Sequence, residues 1–382
     1  MKFRPNLPAL QSLINDKKLD ALICMSPENF TYVAGAYITT IKTIRPRHAY
    51  TVLTKGGDAH VIVCAIEESL VRSEGWIEDL HAYIEFRDDP VVILADALKR
   101  MGLSAGVVGF DMGYVPAASL AQLTALLPQL QLIDTTELVA AIRAIKSSDE
   151  ISVLEKTTRQ THRAVVDGLA QSRIGDTDRL IANRIIKQMF DLGANGVQHL
   201  HLASGKRTPF VHNHPSDDPT CDGEILRLDV GGTYGPFASD LARTYSTGSP
   251  SAVHREVYRT LCDVQETTIG AMRPGVLAED LYFLCREAFS RSGLPCTLPH
   301  IGHSFGIEAH ESPMIRPGEK TPLRPGMVIN IEPMTKDPDG NLYHTEDLVL
   351  VTEDGFRILT YGLSPKEMPI LGQALSVDRY TA

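Results

Sequence analysis

The chain has 382 residues, more than one hydrophobic core usually organises, so two domains are expected. An apolar content of 43% and a charged content of 22% are those of an ordinary globular protein, and a net charge of −10 argues against a nucleic-acid partner. No apolar stretch approaches membrane-spanning length, so no membrane partner is expected either.

The first part mixes helix and strand signals. Leu7 to Lys18 has helical spacing, and the apolar run Ala21 to Met25 reads as a buried strand. Tyr50 to Thr54 and His60 to Cys64 are β-rich runs split by the hairpin turn Lys55-Gly56-Gly57-Asp58. Pro90 to Met101 reads as a helix, Gly106 to Phe110 as a strand, Ala117 to Leu127 as a helix and Leu130 to Asp134 as a strand. This alternation predicts an α/β domain over residues 1–137. Asp111-Met112-Gly113 reads as a turn, and no catalytic constellation stands out in this part.

Residues 138–382 read as the second domain. Ser147 or Ser148 is a fair helix N-cap, with Glu150 early in a helix that runs towards Gln171. Thr177 to Gly193 reads as a second helix, Ser251 to Met272 as a third and Ala278 to Ser292 as a fourth. Two hairpins accompany these helix pairs. The first runs Leu226-Arg227-Leu228-Asp229-Val230-Gly231-Gly232, then a Gly/Pro stretch, then Ser239-Asp240-Leu241. The second runs Met327-Val328-Ile329-Asn330-Ile331-Glu332-Pro333, turns at Asp337-Pro338-Asp339-Gly340, and resumes at Thr345-Glu346-Asp347. Each is an apolar run ending in an acid, a turn, and an acid opening the next run.

Hairpins bring distant residues onto neighbouring strands, so Asp229 is expected beside Asp240 and Glu332 beside Glu346. Burying an unpaired carboxylate is costly, so acids in such apolar company point to a metal or catalytic site. His303 sits between Gly302 and nearby Gly306, a loop that allows close approach and favours a ligand role. Four carboxylates and one imidazole match the charge and donor needs of two divalent cations, which could activate water near neutral pH. Oxygen donors dominate and no cysteine belongs to the set, which favours Mn, Fe, Co or Zn. The six cysteines are scattered without a CxxC, and Met1-Lys2-Phe3-Arg4-Pro5 lacks the apolar segment of a secretion signal. Reduced thiols in a cytoplasmic protein are the expectation.

Gly302-His303-Ser304-Phe305-Gly306-Ile307-Glu308-Ala309-His310-Glu311 resembles the Gly-His-Gly-Ile-Gly…His-Glu signature of the pita-bread metallopeptidases. That family includes methionine aminopeptidase, aminopeptidase P, prolidase and metal-free creatinase. The aspartate pair and the two glutamate motifs also match, in the family's order, from about residue 141 onward. The resemblance implies a creatinase-like N-terminal α/β domain and an α+β pita-bread catalytic domain, its curved antiparallel sheet covered by helices. It implies that Asp240 and Glu346 bridge two metal ions, that Asp229 binds one, and that His303 and Glu332 bind the other. Glu332 would be the general base, His310 would contact the substrate carbonyl, and His212 would face the substrate, with His214 open to the same role. His300 and His254 have no motif support.

The implied reaction is attack of metal-activated water on an amide next to a free N-terminus, in a homodimeric Xaa-Pro dipeptidase or aminopeptidase. A non-peptide C–N hydrolase or lyase acting on a small metabolite, and a non-catalytic binding module, are the alternatives. Members of those kinds typically lose ligands, whereas this chain keeps all five. Two departures stand out. Ser304 replaces the second glycine of Gly-His-Gly, and His344 occupies the place where proline-specific members usually carry Arg.

Overall fold

The computed structural model describes residues 3–373, and all elements below are those of the described residues. The chain separates into two units, Met1–Arg143 and Ala144–Ala382.

The first unit contains α1 (Leu7–Asp16), β1 (Ala21–Cys24), α2 (Pro27–Ala34), α3 (Thr40–Thr43), β2 (Tyr50–Thr54), β3 (Ala59–Cys64) and α4 (Glu68–Glu74). It continues through β4 (Asp79–Tyr83), α5 (Pro90–Arg100), β5 (Val107–Phe110), α6 (Ala117–Leu126), β6 (Gln131–Asp134) and α7 (Thr136–Arg143). The strands form one six-stranded sheet in the order β4-β3-β2-β1-β5-β6. The β2–β3 hairpin is antiparallel, while β1–β5 and β5–β6 are parallel. Sequence pattern misses α2, α3, α4, β4 and α7, which are short. For α2 a signal was present: Ser26 caps it and Pro27 opens it.

Asp111 lies at the turn expected there, but its carboxylate is fully buried. It accepts from the backbone N–H of Met25 and Ser26 and from Asn29 Nδ2, tying the end of β5 to the start of α2. Asn29 Oδ1 in turn accepts from Arg143 at 2.7 Å. That bond ties α7 to the first unit. The division therefore falls at 143/144, whereas the sequence pattern puts it at 137/138, inside α7.

The second unit opens with α8 (Ser148–Ala170), α9 (Asp178–Asp191), β7 (Gly196–Ser204), β8 (Ile225–Tyr234), β9 (Phe237–Ala238) and β10 (Leu241–Ser246). Then follow α10 (Ala252–Gly270), α11 (Ala278–Ser292), β11 (Gly302–Ser304), β12 (Glu311–Met314), β13 (Val328–Ile331), β14 (Met334–Lys336), β15 (Leu342–His344), β16 (Asp347–Val351) and β17 (Phe356–Ile358). Ser147 and Glu150 close a capping box at the start of α8. The order helix pair, then antiparallel strands, occurs twice, as the two similar hairpins suggest.

Strand alternation sorts the side chains. On β8, Leu226, Leu228 and Val230 pack against Leu169 of α8 and Ile185 of α9. On β13 and β16, Ile329, Ile331, Val349 and Val351 pack against Leu261 of α10 and Leu281 of α11. Each such side chain contributes roughly 1.5–3 kcal/mol by leaving water. The alternate residues must then face away from the helices. On β8 these include Asp229, and beyond β13 they include Glu332. An antiparallel sheet with one face covered by helices thus presents its acids on the other face. The two sheets meet where Glu346 N donates to Ala242 O at 3.0 Å. This is the α/β plus helix-covered antiparallel architecture that the resemblance implies.

Candidate metal centre

Asp229, Asp240, His303, Glu332 and Glu346 all line one cavity of about 290 Å³ in the second unit. Asp229 lies on β8 opposite Ala242 of β10, and Asp240 immediately precedes β10. Glu332 follows β13, and Glu346 precedes β16, which pairs with β13. His303, on β11, is opposite Asn330 of β13. Gly302 allows this approach, because a Cβ there would lie 2.1 Å from Asn330 O. His303 Nδ1 lies 3.1 Å from Ser304 O. Its Nε2 faces the acids, 3.6 Å from Glu332 Oε1 and 4.0 Å from Asp240 Oδ2. Asp347, next to Glu346, points elsewhere and pairs with buried Arg243 at 2.6 Å.

The other histidines divide. His310 lines the cavity and stacks on His303 with ring centroids 4.0 Å apart. His212 also lines it, 5.2 Å from the His201 ring, whereas His214 is not among the lining residues. His300 Nδ1 lies 3.3 Å from Glu332 Oε1, and fully buried His344 lies 3.6 Å from Glu332 Oε2 and 4.0 Å from Asp229 Oδ2. His254 instead approaches Asp337, at 3.8 Å.

Sequence reasoning overlooked β7 and with it His199 and His201. His201 is directly opposite Asp229, and His199 is opposite Gly231. His199 Nε2 lies 2.9 Å from Asp229 Oδ1 and 3.2 Å from Asp240 Oδ1. The alternation His199-Leu200-His201 just before the aspartate hairpin was the available signal.

The protonation pattern separates Glu346 from Asp229 and Glu332. Burial, together with Asp240, Glu332 and Asp229, pushes the Glu346 carboxyl well above the usual range. Burial also opposes ionisation of Asp229 and Glu332, but histidines outweigh it. His199 brings Asp229 down to about 2, and His300 and His344 lower Glu332. His199 is held up at about 10, against burial, by Asp240 and Asp229. Glu332 Oε1 and Glu346 Oε1 are nevertheless buried without a hydrogen-bond partner. Orphaned carboxylate oxygens beside imidazole nitrogens are the donor set expected for divalent transition metals. The residues present fit such ions.

A wider opening of about 1160 Å³ lies in the first unit, lined in part by His60, Asp79 and His81. Of its four acids, Asp20, Asp58, Glu78 and Asp79, only Asp79 converges with the two histidines, and Arg100 approaches His81 Nδ1 at 3.4 Å. We therefore place the chemistry in the smaller cavity.

The chain matches the profile of metallopeptidase family M24 over residues 152–353. It matches that of the creatinase/prolidase N-terminal domain over residues 7–145. It is 26% identical over 362 residues to a Xaa-Pro dipeptidase of Pyrococcus furiosus, covering 94% of this chain and 98% of the relative. An uncharacterized peptidase of Bacillus subtilis, YqhT, is 30% identical over 290 residues, which is 75% of this chain and 81% of the relative. The crystal structure of an X-Pro aminopeptidase from Thermotoga maritima superposes with a TM-score of 0.85, covering 96% of this chain and 100% of that chain at 22% identity. The chain belongs to metallopeptidase family M24. It is a pita-bread metallopeptidase with a creatinase-like N-terminal domain.

Proposed function

We propose that the enzyme is dinuclear and hydrolyses the amide bond next to a free N-terminus, with Xaa-Pro peptides as substrates. The observation that carries this reading is the meeting of four acids and His303 around one small cavity, with a buried oxygen on each of Glu332 and Glu346 that makes no hydrogen bond. Asp240 and Glu346 would hold both ions, Asp229 would hold one, and His303 with Glu332 would hold the other. Manganese, cobalt, zinc or iron suits this donor set. When bound, such ions polarise the scissile carbonyl and make water acidic enough to ionise near neutral pH.

The protein side chains supply the remaining steps. Glu332 accepts the proton of the attacking water and passes it to the departing amine. His310 and His212 donate hydrogen bonds to the carbonyl oxygen as negative charge develops on it. The proline preference is supported by the Xaa-Pro dipeptidase relative, whose match covers almost the whole chain. The reading extends to a homodimer in the cytoplasm, which sedimentation and cell fractionation test. No helix among the described residues is long and apolar enough to cross a membrane.

One observation favours a second substrate class. Among the described residues no lysine or arginine lines the cavity, so a dipeptide carboxylate would meet no ammonium or guanidinium there. A small uncharged amide needs none. Purified protein supplied with manganese, cobalt or zinc should be assayed on Ala-Pro, Ala-Ala, an Xaa-Pro tripeptide and a panel of small amides. Turnover of the Xaa-Pro substrates is expected. Turnover of the amides alone would support the second class, and no turnover at all would contradict both.

A further inference from the structure

We propose that His199 is itself a ligand of one of the two ions, so that each ion position carries one imidazole. The inference rests on the dinuclear reading above and deepens it. Two groups of donors each converge within 4.8 Å: His199 with Asp229 and Asp240, and His303 with Asp240 and Glu346. They share Asp240. Its Oδ1 faces His199 at 3.2 Å, and its Oδ2 faces His303 at 4.0 Å. One carboxylate directed at two imidazoles through its two oxygens has the orientation of a bridge.

The spacing around His199 is that of adjacent ligands. Donors about 2.0–2.2 Å from an ion, at mutual angles of 90–110°, lie roughly 2.8–3.6 Å apart. His199 Nε2 is 2.9 Å from Asp229 Oδ1 and 3.2 Å from Asp240 Oδ1.

The local sequence builds this position. His199 is opposite Gly231 on β8. Asp240 flanks Gly231 from the far side, since Leu241 is in register with Val230 and Ser239 N donates to Gly232 O. The two side chains therefore meet across a residue that has none. A Cβ at Gly231 would lie 2.5 Å from His199 Cε1. His201 stacks on the His199 ring at 5.7 Å, and its own Nδ1 is held 3.0 Å from Asn213 O. This packing orients the imidazole.

The rival role is a histidinium that merely neutralises Asp229 and Asp240. The two roles differ in what they do to metal binding. A ligand strengthens binding at its position, and an imidazole favours zinc or cobalt over manganese there. A histidinium competes with the ion, so its removal would tighten binding.

The test uses the full chain, stripped of metal and titrated with zinc, manganese and cobalt(II), as wild type, His199→Gln and His199→Phe. Wild type should take up two ions per chain. In both variants one of the two should bind zinc at least about tenfold more weakly, with the other nearly unchanged. The zinc-over-manganese preference should fall at the weakened position. The proton NMR spectrum of the di-cobalt(II) wild type provides a readout free of mutation: it should show exchangeable, hyperfine-shifted N–H signals from two ligating imidazoles. Unchanged or tighter zinc binding in the variants, or signals from a single imidazole in wild type, would overturn the assignment alone. Fewer than two ions in wild type would overturn the dinuclear reading and the assignment with it.

Discussion

The Lys146 ammonium lies 2.8 Å from Glu311 Oε2, with 1% and 3% of the two side chains exposed. The same ammonium donates to Ser304 Oγ at 3.2 Å, and Ser304 Oγ donates to Val328 O at 3.1 Å. Ser304 follows His303, and Glu311 follows His310. One buried cation therefore fixes both ends of the loop that carries the two stacked histidines. It also explains why this chain has serine where the resembling signature has glycine: the hydroxyl is a partner for Lys146.

Removing one member of a buried ion pair leaves the other charge uncompensated. Lys146→Met should destabilise the second unit by about 3–5 kcal/mol, measured by denaturant unfolding. Ser304→Gly should cost only about 1 kcal/mol, because the ion pair survives. Equal losses in the two variants would show that the pair does not hold the loop.

Asp240→Ala should abolish activity and reduce metal content to trace levels, because this carboxylate belongs to both convergent donor groups. Metal should also stabilise wild type by about 2.7 kcal/mol at a free concentration one hundredfold above Kd, and chelation should remove that increment. Thermal unfolding with and without chelator measures it. An active, metal-loaded Asp240→Ala enzyme would refute the shared role.

His310→Ala should lower kcat about 10²–10⁴-fold while metal content stays near that of wild type. Its ring reaches the cavity by stacking on His303, and it belongs to neither convergent donor group. Loss of stoichiometric metal in this variant would make His310 a ligand instead.

His344→Arg should change the ratio of kcat/KM for Xaa-Pro over Xaa-Ala dipeptides by about tenfold or more, equivalent to roughly 1.4 kcal/mol. His344 is fully buried between Asp229 and Glu332, so a guanidinium there would contact the same acids and extend beyond them. An unchanged ratio would show that this position does not govern substrate choice.

Much of the second unit was legible because its signals are local. Asp-Gly marks the turn after Glu332, Ser147 and Glu150 form a capping box, and apolar alternation frames Asp229 and Glu332. Strand β7 was not legible, since Gln198-His199-Leu200-His201 has little β-branched content and its register shifts between Val197 and His199. The alternation His199-Leu200-His201 hints at a strand, but the place of His199 beside Asp229 follows only from its pairing with Gly231, thirty-two positions later. Lys146 and Glu311 are 165 residues apart, and no short-range pattern connects them. His300 looked unremarkable in sequence, and His344 stood out only as a departure from the resembling pattern, because their partner, Glu332, comes to them only through the fold. Asp111 read as a turn residue because its acceptor role depends on backbone N–H groups of a helix start more than eighty residues earlier.

The most direct test is anomalous diffraction from crystals of the wild-type protein grown with manganese or zinc. The account predicts two peaks about 3.5–4 Å apart inside the cavity, bounded by Asp229, Asp240, His303, Glu332 and Glu346. A cavity without a peak in metal-replete crystals, or ions held by other residues, would contradict it.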